Sequence, residues 1–274
     1  MKIACVQIKS TDNLDYNIKK ILKYIHICIK KKADFIITPE ATTFLYDDKN
    51  TLMKNSFTFG KDIFLKTISG IAKKYNKWIL IGSIFIKEKK NFKNRSILFN
   101  PNGKIEMYYD KINLFDAKLN KNSIFNESKF FKPGNKLKIA NLPWGKLGMA
   151  ICFDLRFPEI FREYSKKNCS FISIPSAFTK LTGKRHWLTL LKARAIENFC
   201  YIFAPNQIGK NTKKWKTFGH SVIISPDGKI LKINKFKEGV IFAKIDLKLP
   251  KKLRNAIPSL KKSLHYFEIN SKFI

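Results

Sequence analysis

Apolar positions along this chain recur in two rhythms, one of strands and one of helices. Residues 2–8 (KIACVQI) alternate in part and predict a strand. Over residues 13–32, Ile18, Ile21, Leu22, Ile25 and Ile29 recur at spacings of three and four, which is one face of a helix. The run DFIIT at 34–38 is short, apolar and β-branched, so it predicts a strand buried on both sides, ending at Pro39-Glu40. A second helix is predicted over 61–76 and a strand over 78–86. Residues 94–109 read as a hairpin turning at Pro101-Asn102-Gly103. Residues 112–136 are polar and irregular and read as a long loop, of the kind that is functional or mobile. Strands follow at 137–141 and 146–152, a helix at 158–167, a strand at 171–174, a helix at 184–198 and a strand at 200–204. The last stretch is β-rich: 218–225, a turn at Ser225-Pro226-Asp227-Gly228, then 229–234 and 239–245.

No linker, low-complexity segment or internal sequence repeat divides this pattern. The expectation is one α/β domain over 1–274, with about 247–274 as a C-terminal extension. Hairpins mixed with helical crossovers imply mixed rather than purely parallel sheets.

Composition narrows the function classes. The 274 residues are 45% hydrophobic, enough for a sizeable core. No run of eighteen apolar residues occurs, and the N-terminus lacks a signal-peptide pattern, so a soluble, cytoplasmic protein without a membrane partner is expected. The five cysteines are scattered and lack CxxC spacing, which argues against a disulfide framework or a cysteine zinc site. The formal charge is +34, from 54 basic and 20 acidic residues. Only six of the basic residues are Arg, and Lys is spread along the whole chain. Base readers and phosphate clamps favour Arg, so specific nucleic-acid binding is not expected. Non-specific adsorption at low salt is.

In α/β architectures chemistry lies outside the carboxyl ends of strands. Four residues stand at such places or in the long loop: Glu40, Lys111, Glu127 and Cys152. A carboxylate can take a thiol proton, and a cation can hold a thiolate or an oxyanion. Glu40 would supply the first function, Lys111 the second, and Glu127 would orient Lys111 or the substrate. Each also has a structural reading: a buried core cysteine, a surface lysine, a carboxylate beside a helix start, a solvated loop residue. A cysteine–histidine hydrolase using His186 or His220 is another enzymatic reading. A basic interaction protein on a hydrolase fold is the non-enzymatic one.

The segments TPEATTF (38–44), YDKINLFDA (109–117), NESKFFKPG (126–134) and GMAICFDLRFPE (148–159) resemble the nitrilase, or carbon–nitrogen hydrolase, superfamily. The resemblance runs from the first strand to about residue 247. It implies a four-layer-forming α-β-β-α sandwich, usually dimerised, with catalytic residues at Glu40, Lys111, Glu127 and Cys152 and no cofactor or metal. Residues 175–209 look like the Nit amidase branch, and Pro175-Ser176-Ala177-Phe178 and Gln207 within them are similar to deaminated glutathione amidases. One departure is Leu188, where the family usually has Glu after His186-Trp187. The implied reaction is hydrolysis of a primary carboxamide on a small carboxylate-bearing substrate, through a cysteine thioester with release of ammonia. Deaminated glutathione leads as substrate. α-Ketoglutaramate, N-carbamoyl compounds and nitriles are alternatives. Phe153 (through its backbone), Arg156, Phe178 and Thr182 are the implied substrate contacts. Arg156 alternatively forms a structural ion pair with Glu159 or Glu163.

Overall fold

Alternation along the first strand decides how the layers of the protein meet. In the computed structural model, which describes residues 1–60, 62–121 and 123–262, strand Lys2–Gln7 sends Ile3 and Cys5 into one buried cluster and Ala4 and Val6 into another. The same split separates Phe35 and Ile37 from Ile36, and Leu98 from Ile97 and Phe99. Successive strand side chains point to opposite faces, so this sheet is covered on both. One face carries helices Leu14–Lys30 and Ile63–Tyr75, through Ile21, Ile25, Phe64 and Ile68. The other meets a second sheet, where Phe35 lies edge-on to Phe203 with ring centroids 6.4 Å apart. Beyond the second sheet pack helices Pro158–Lys166 and Lys180–Asn198, through Phe161, Tyr164, Trp187 and Leu191. Gly148 makes this approach possible, since a Cβ there would come within 2.6 Å of the Tyr164 ring. The layers are helix, sheet, sheet, helix: the α-β-β-α sandwich with mixed sheets.

Both six-stranded sheets follow one plan. The first runs Gly239–Lys244, Lys2–Gln7, Phe35–Ile37, Trp78–Glu88, Asn91–Phe99, Ile105–Asp110. The second runs Ile139–Leu142, Gly145–Met149, Cys169–Ser173, Tyr201–Ala204, Ser221–Ile224, Ile230–Asn234. In each, the successive pairings are antiparallel, parallel, parallel, antiparallel, antiparallel. The chain therefore repeats a topology although its sequence shows no repeat.

Four sequence expectations are corrected. Residues 112–136 are not a bare loop: they hold a hairpin of strands Asp116–Asn120 and Ser123–Asn126, then a 3-10 turn Glu127–Lys129. Neither strand has a fully buried side: Ala117 and Leu119 alternate with polar residues in Asp116–Asn120, but over five residues and only half-buried the pattern is short and weak. Helix Lys49–Asn55 was not expected, because it buries only Leu52. Helix Lys180–Asn198 starts four residues before 184, with a polar first turn capped by Thr179. The strand expected at 218–225 is broken into Lys216–Phe218 and Ser221–Ile224 by Gly219 and His220, both at positive φ. Lys61, the start of the expected second helix, and residues 263–274 of the expected extension lie outside the described residues. Within that extension, helices Leu249–Ala256 and Ser259–Lys262 are present. Among the described residues no helix is long and apolar enough to cross a membrane.

Candidate active site

Glu40 is carried on the turn that follows strand Phe35–Ile37 and is 5% exposed. The turn is fixed from three sides. The next residue, Ala41, sits at φ +52°, with its amide bonded to Ser83 Oγ at 2.9 Å. Gln207, fully buried, donates Nε2 to the carbonyls of Glu40 and Ala41 at 3.0 and 3.1 Å. Gly82 lets the chain pass close by: a Cβ there would stand 2.0 Å from the Thr38 carbonyl and 2.6 Å from Pro175.

Lys111 follows strand Ile105–Asp110 and is 2% exposed. Its ammonium donates to Glu40 Oε1 at 2.9 Å and to Glu127 Oε2 at 2.8 Å. Glu127, at the start of the 3-10 turn, also accepts from the Phe115 amide at 2.7 Å. Burial disfavours the ammonium, but the charges of Glu127 and Glu40 outweigh it and hold its pKa well above the ordinary lysine range. Sequence reading missed Asn94, whose Nδ2 donates to Glu40 Oε1 and Glu127 Oε1, both at 3.0 Å. As a polar residue inside a strand it gave no signal.

Strand Gly145–Met149 ends three residues before Cys152, but the chain stays tethered to its neighbour, with Ala150 and Cys152 amides bonded to Ser173 and Pro175 carbonyls at 3.0 Å. Cys152 has φ +48°, a left-handed conformation uncommon for a non-glycine residue. It opens the 3-10 turn Cys152–Arg156, where the first amides, Phe153 among them, lack intrahelical partners. Cys152 lines the same cavity as Glu40, Lys111 and Glu127, and the Ala177 amide, two residues after the Pro175 carbonyl that holds the Cys152 amide, donates to Glu40 Oε2 at 2.7 Å. Burial first, then the Glu40 charge, push the thiol pKa well up, and Lys111 only partly opposes them. Those influences favour the neutral thiol in the resting site.

Asp154 braces this turn and was also missed, read only as part of FDLRFPE. Fully buried, it accepts from the Ile151 amide (2.9 Å), the Tyr109 hydroxyl (2.7 Å), and the Asn113 amide and Nδ2 (both 2.9 Å). It thus ties the Cys152 turn to the residues flanking Lys111. Burial raises its pKa against these donors. Asp154→Asn puts an NH2 where two donors now point. With roughly 1–3 kcal/mol for each donor left unmade, thermal denaturation is expected to show a stability loss of several kcal/mol with a fall in kcat. An unchanged melting temperature in that variant would remove Asp154 as a brace.

These groups open into a cavity of about 600 Å³ that Phe153, Arg156, Phe178 and Thr182 also line. Arg156 makes no ion pair with Glu159 or Glu163, so that alternative is corrected: Glu163 pairs with Lys166 instead, at 2.7 Å. Arg156 Nη1 lies 3.1 Å from His186 Nδ1, and its guanidinium rests 5.2 Å from the Phe178 ring centroid. Arginine only donates, so His186 accepts and is neutral at that nitrogen. Burial and then Arg156 and Arg185 hold its pKa below the usual imidazole value. Neither His186 nor His220 lines the cavity, which leaves the cysteine–histidine reading without its base. Leu188 packs half-buried against the core. A chain of ring contacts at 4.9–5.1 Å (Phe153, Phe115, Phe125, Trp215) forms one wall of the cavity.

Residues 2–255 match the family model described as carbon-nitrogen hydrolase. A deaminated glutathione amidase from Synechocystis sp. is 34% identical over 263 residues, covering 94% of this chain and 96% of that protein. An omega-amidase from Xenopus laevis is 30% identical over 257 residues, covering 94% and 92%. The crystal structure of Saccharomyces cerevisiae Nit3, described as a member of branch 10 of the nitrilase superfamily, matches with a TM-score of 0.85 at 27% identity, over 94% of each chain.

Proposed function

The chain belongs to the carbon–nitrogen hydrolase family, and from that premise we propose that it is a thiol amidase for small carboxylate-bearing amides, deaminated glutathione foremost. The supporting observation is the Lys111 ammonium held between Glu40 and Glu127 at 2.9 and 2.8 Å in the cavity that Cys152 also lines. Glu40 takes the thiol proton as the sulfur attacks the carbonyl carbon. The oxyanion is held by the Lys111 ammonium and the Phe153 amide. On collapse the C–N bond breaks, and Glu40 returns the proton to the departing amine. Water, deprotonated by Glu40, then cleaves the thioester and restores the thiol.

The bond to be cut in deaminated glutathione joins the acyl group to the cysteinyl nitrogen. Its leaving amine is therefore cysteinylglycine, whereas ammonia departs only from primary carboxamides such as α-ketoglutaramate. The test is a hydrolysis panel reading both products, with simple ω-amides, N-carbamoyl compounds and nitriles included. No turnover of any amide would sink the reading. Faster turnover of α-ketoglutaramate would favour the ω-amidase alternative, which the Xenopus relative supports.

Among the described residues Arg156 has no carboxylate partner, which supports a role in gripping the substrate carboxylate, with Phe178 and Thr182 beside it. A bidentate charge-assisted bond is worth roughly 1.5–3 kcal/mol. Arg156→Lys is therefore expected to raise KM for carboxylate-bearing amides about 10- to 100-fold, with kcat and the KM of an uncharged amide little changed. An unaltered KM for the acid would remove the clamp. The five unpaired cysteines accord with a cytoplasmic setting. Treating 1–274 as one hydrolase domain and the assembly as a homodimer extends the family resemblance, and light scattering reads the latter.

A further inference from the structure

Asn94 is 2% exposed, and its Oδ1 has no hydrogen-bond partner. A buried acceptor without a partner destabilises a protein, so the position needs a reason. Its orientation is set by chemistry. Glu40 Oε1 and Glu127 Oε1 only accept, so the NH2 group must face them. Turning the amide would set a third oxygen against two carboxylates. The orphaned Oδ1 is thus the consequence of spending both donors on the two glutamates.

Those donors close a ring. Lys111 joins Glu40 Oε1 to Glu127 Oε2, and Asn94 joins Glu127 Oε1 back to Glu40 Oε1. Glu40 Oε1 therefore carries two donors. Oε2 accepts from the Ala177 amide, two residues after Pro175, whose carbonyl holds the Cys152 amide at 3.0 Å.

We propose that Asn94 is a positioning residue that clamps Glu40 and Glu127 around Lys111, fixing the Glu40 carboxylate so that Oε2 faces the Cys152 thiol and takes its proton. This rests on the reading of Glu40 as the base. The groups facing the ring are Glu40, Glu127, Lys111 and Cys152, with the Tyr46 phenol, which feels Glu127, Lys111 and Glu40. The neighbouring Arg95 is engaged elsewhere, with Asp110 and Glu88. Two carboxylates share one ammonium here, leaving one excess negative charge that the Asn94 amide dipole offsets.

The test is the rate of Cys152 alkylation by iodoacetamide against pH, which needs no substrate. Cys152 is 8% exposed while the other four cysteines are fully buried, so labelling reports this thiol. In Asn94→Ala, alkylation at neutral pH is expected to slow about 10-fold, part of the roughly 10²–10⁴ a positioned base supplies, and its acid limb to move to higher pH. Asn94→Asp adds a third carboxylate at neutral pH but becomes an O–H donor once protonated. Its alkylation rate, relative to wild type, is expected to rise as pH falls. Profiles parallel to wild type in both variants, with only a lower melting temperature, overturn the proposal. If Asn94→Ala does not fold, Asn94→Ser, whose hydroxyl serves one glutamate at a time, carries the comparison, and a wild-type profile there overturns it equally. Failure of the wild type to hydrolyse any amide sinks the amidase reading but leaves this comparison standing.

Discussion

Cys152→Ala is expected to abolish amide hydrolysis, by about 10⁴-fold or more, while the folded protein persists. The reason is local. Alanine keeps the Cβ, so the left-handed backbone at φ +48° is no more strained than before, and the amide bond to the Pro175 carbonyl remains. Only the sulfur atom is lost, beside an open cavity rather than inside a sealed core, and about 1 kcal/mol of stability is the expected scale. What disappears is the atom that forms the thioester. Glu40 and Lys111 retain their contacts, so any residual activity would have to come from water activated by Glu40. The measurement is amine release against time, alongside a melting curve. Substantial turnover in a well-folded Cys152→Ala protein would rule out covalent catalysis at this residue.

Lys111→Met is expected to cost both activity and stability, and the stability loss is expected to depend on pH. The ammonium neutralises two carboxylates at 2.9 and 2.8 Å in a site from which water is largely excluded. Removing one partner of a buried ion pair costs roughly 3–5 kcal/mol, because the remaining charge stays buried and unpaired. Here two like charges are left facing each other. The variant's native state then binds more protons than its unfolded chain as pH falls, so its stability recovers towards acid relative to neutral pH. Denaturant melts at pH 7 and pH 5 read this directly, with the gap to wild type expected to narrow at the lower pH. Loss of the oxyanion's cation is expected to lower kcat about 10²- to 10³-fold. Wild-type stability at pH 7 in Lys111→Met would mean that the glutamates are solvated and the ring is not the rigid unit described.

Much of this was legible in the chain because burial was. Strands such as Phe35–Ile37 and Trp78–Glu88 are covered on both faces and read as continuous apolar runs, which also located Glu40 by where a run stopped. Cys152 was legible for the same reason, although its strand ends earlier and a tethered turn carries the thiol. The hairpin that delivers Glu127 was illegible, since its strands are four and five residues long and their apolar side, Ala117, Leu119 and Phe125, is only half-buried. Asn94 and Asp154 were illegible for a different reason. Each acts through hydrogen bonds to residues distant in sequence, and neither periodicity nor composition records a partner. The same holds for the Ala177 amide, whose role is carried by the backbone.

The two sheets with one pairing plan have a consequence for how the protein could be taken apart. Glu40, Asn94, Lys111 and Glu127 all precede residue 128, whereas Cys152, Arg156, Ala177 and Phe178 all follow residue 151. Acid–base machinery and nucleophile are thus carried by different halves of the polypeptide, with Asp154 as a strut across the seam. A nick at the Lys132-Pro133-Gly134 stretch would separate them into two fragments, each with a near-complete sheet and neither able to perform half of the reaction. Recovery of activity on mixing such fragments would report, without any spectroscopic label, the moment at which the sheets dock face to face.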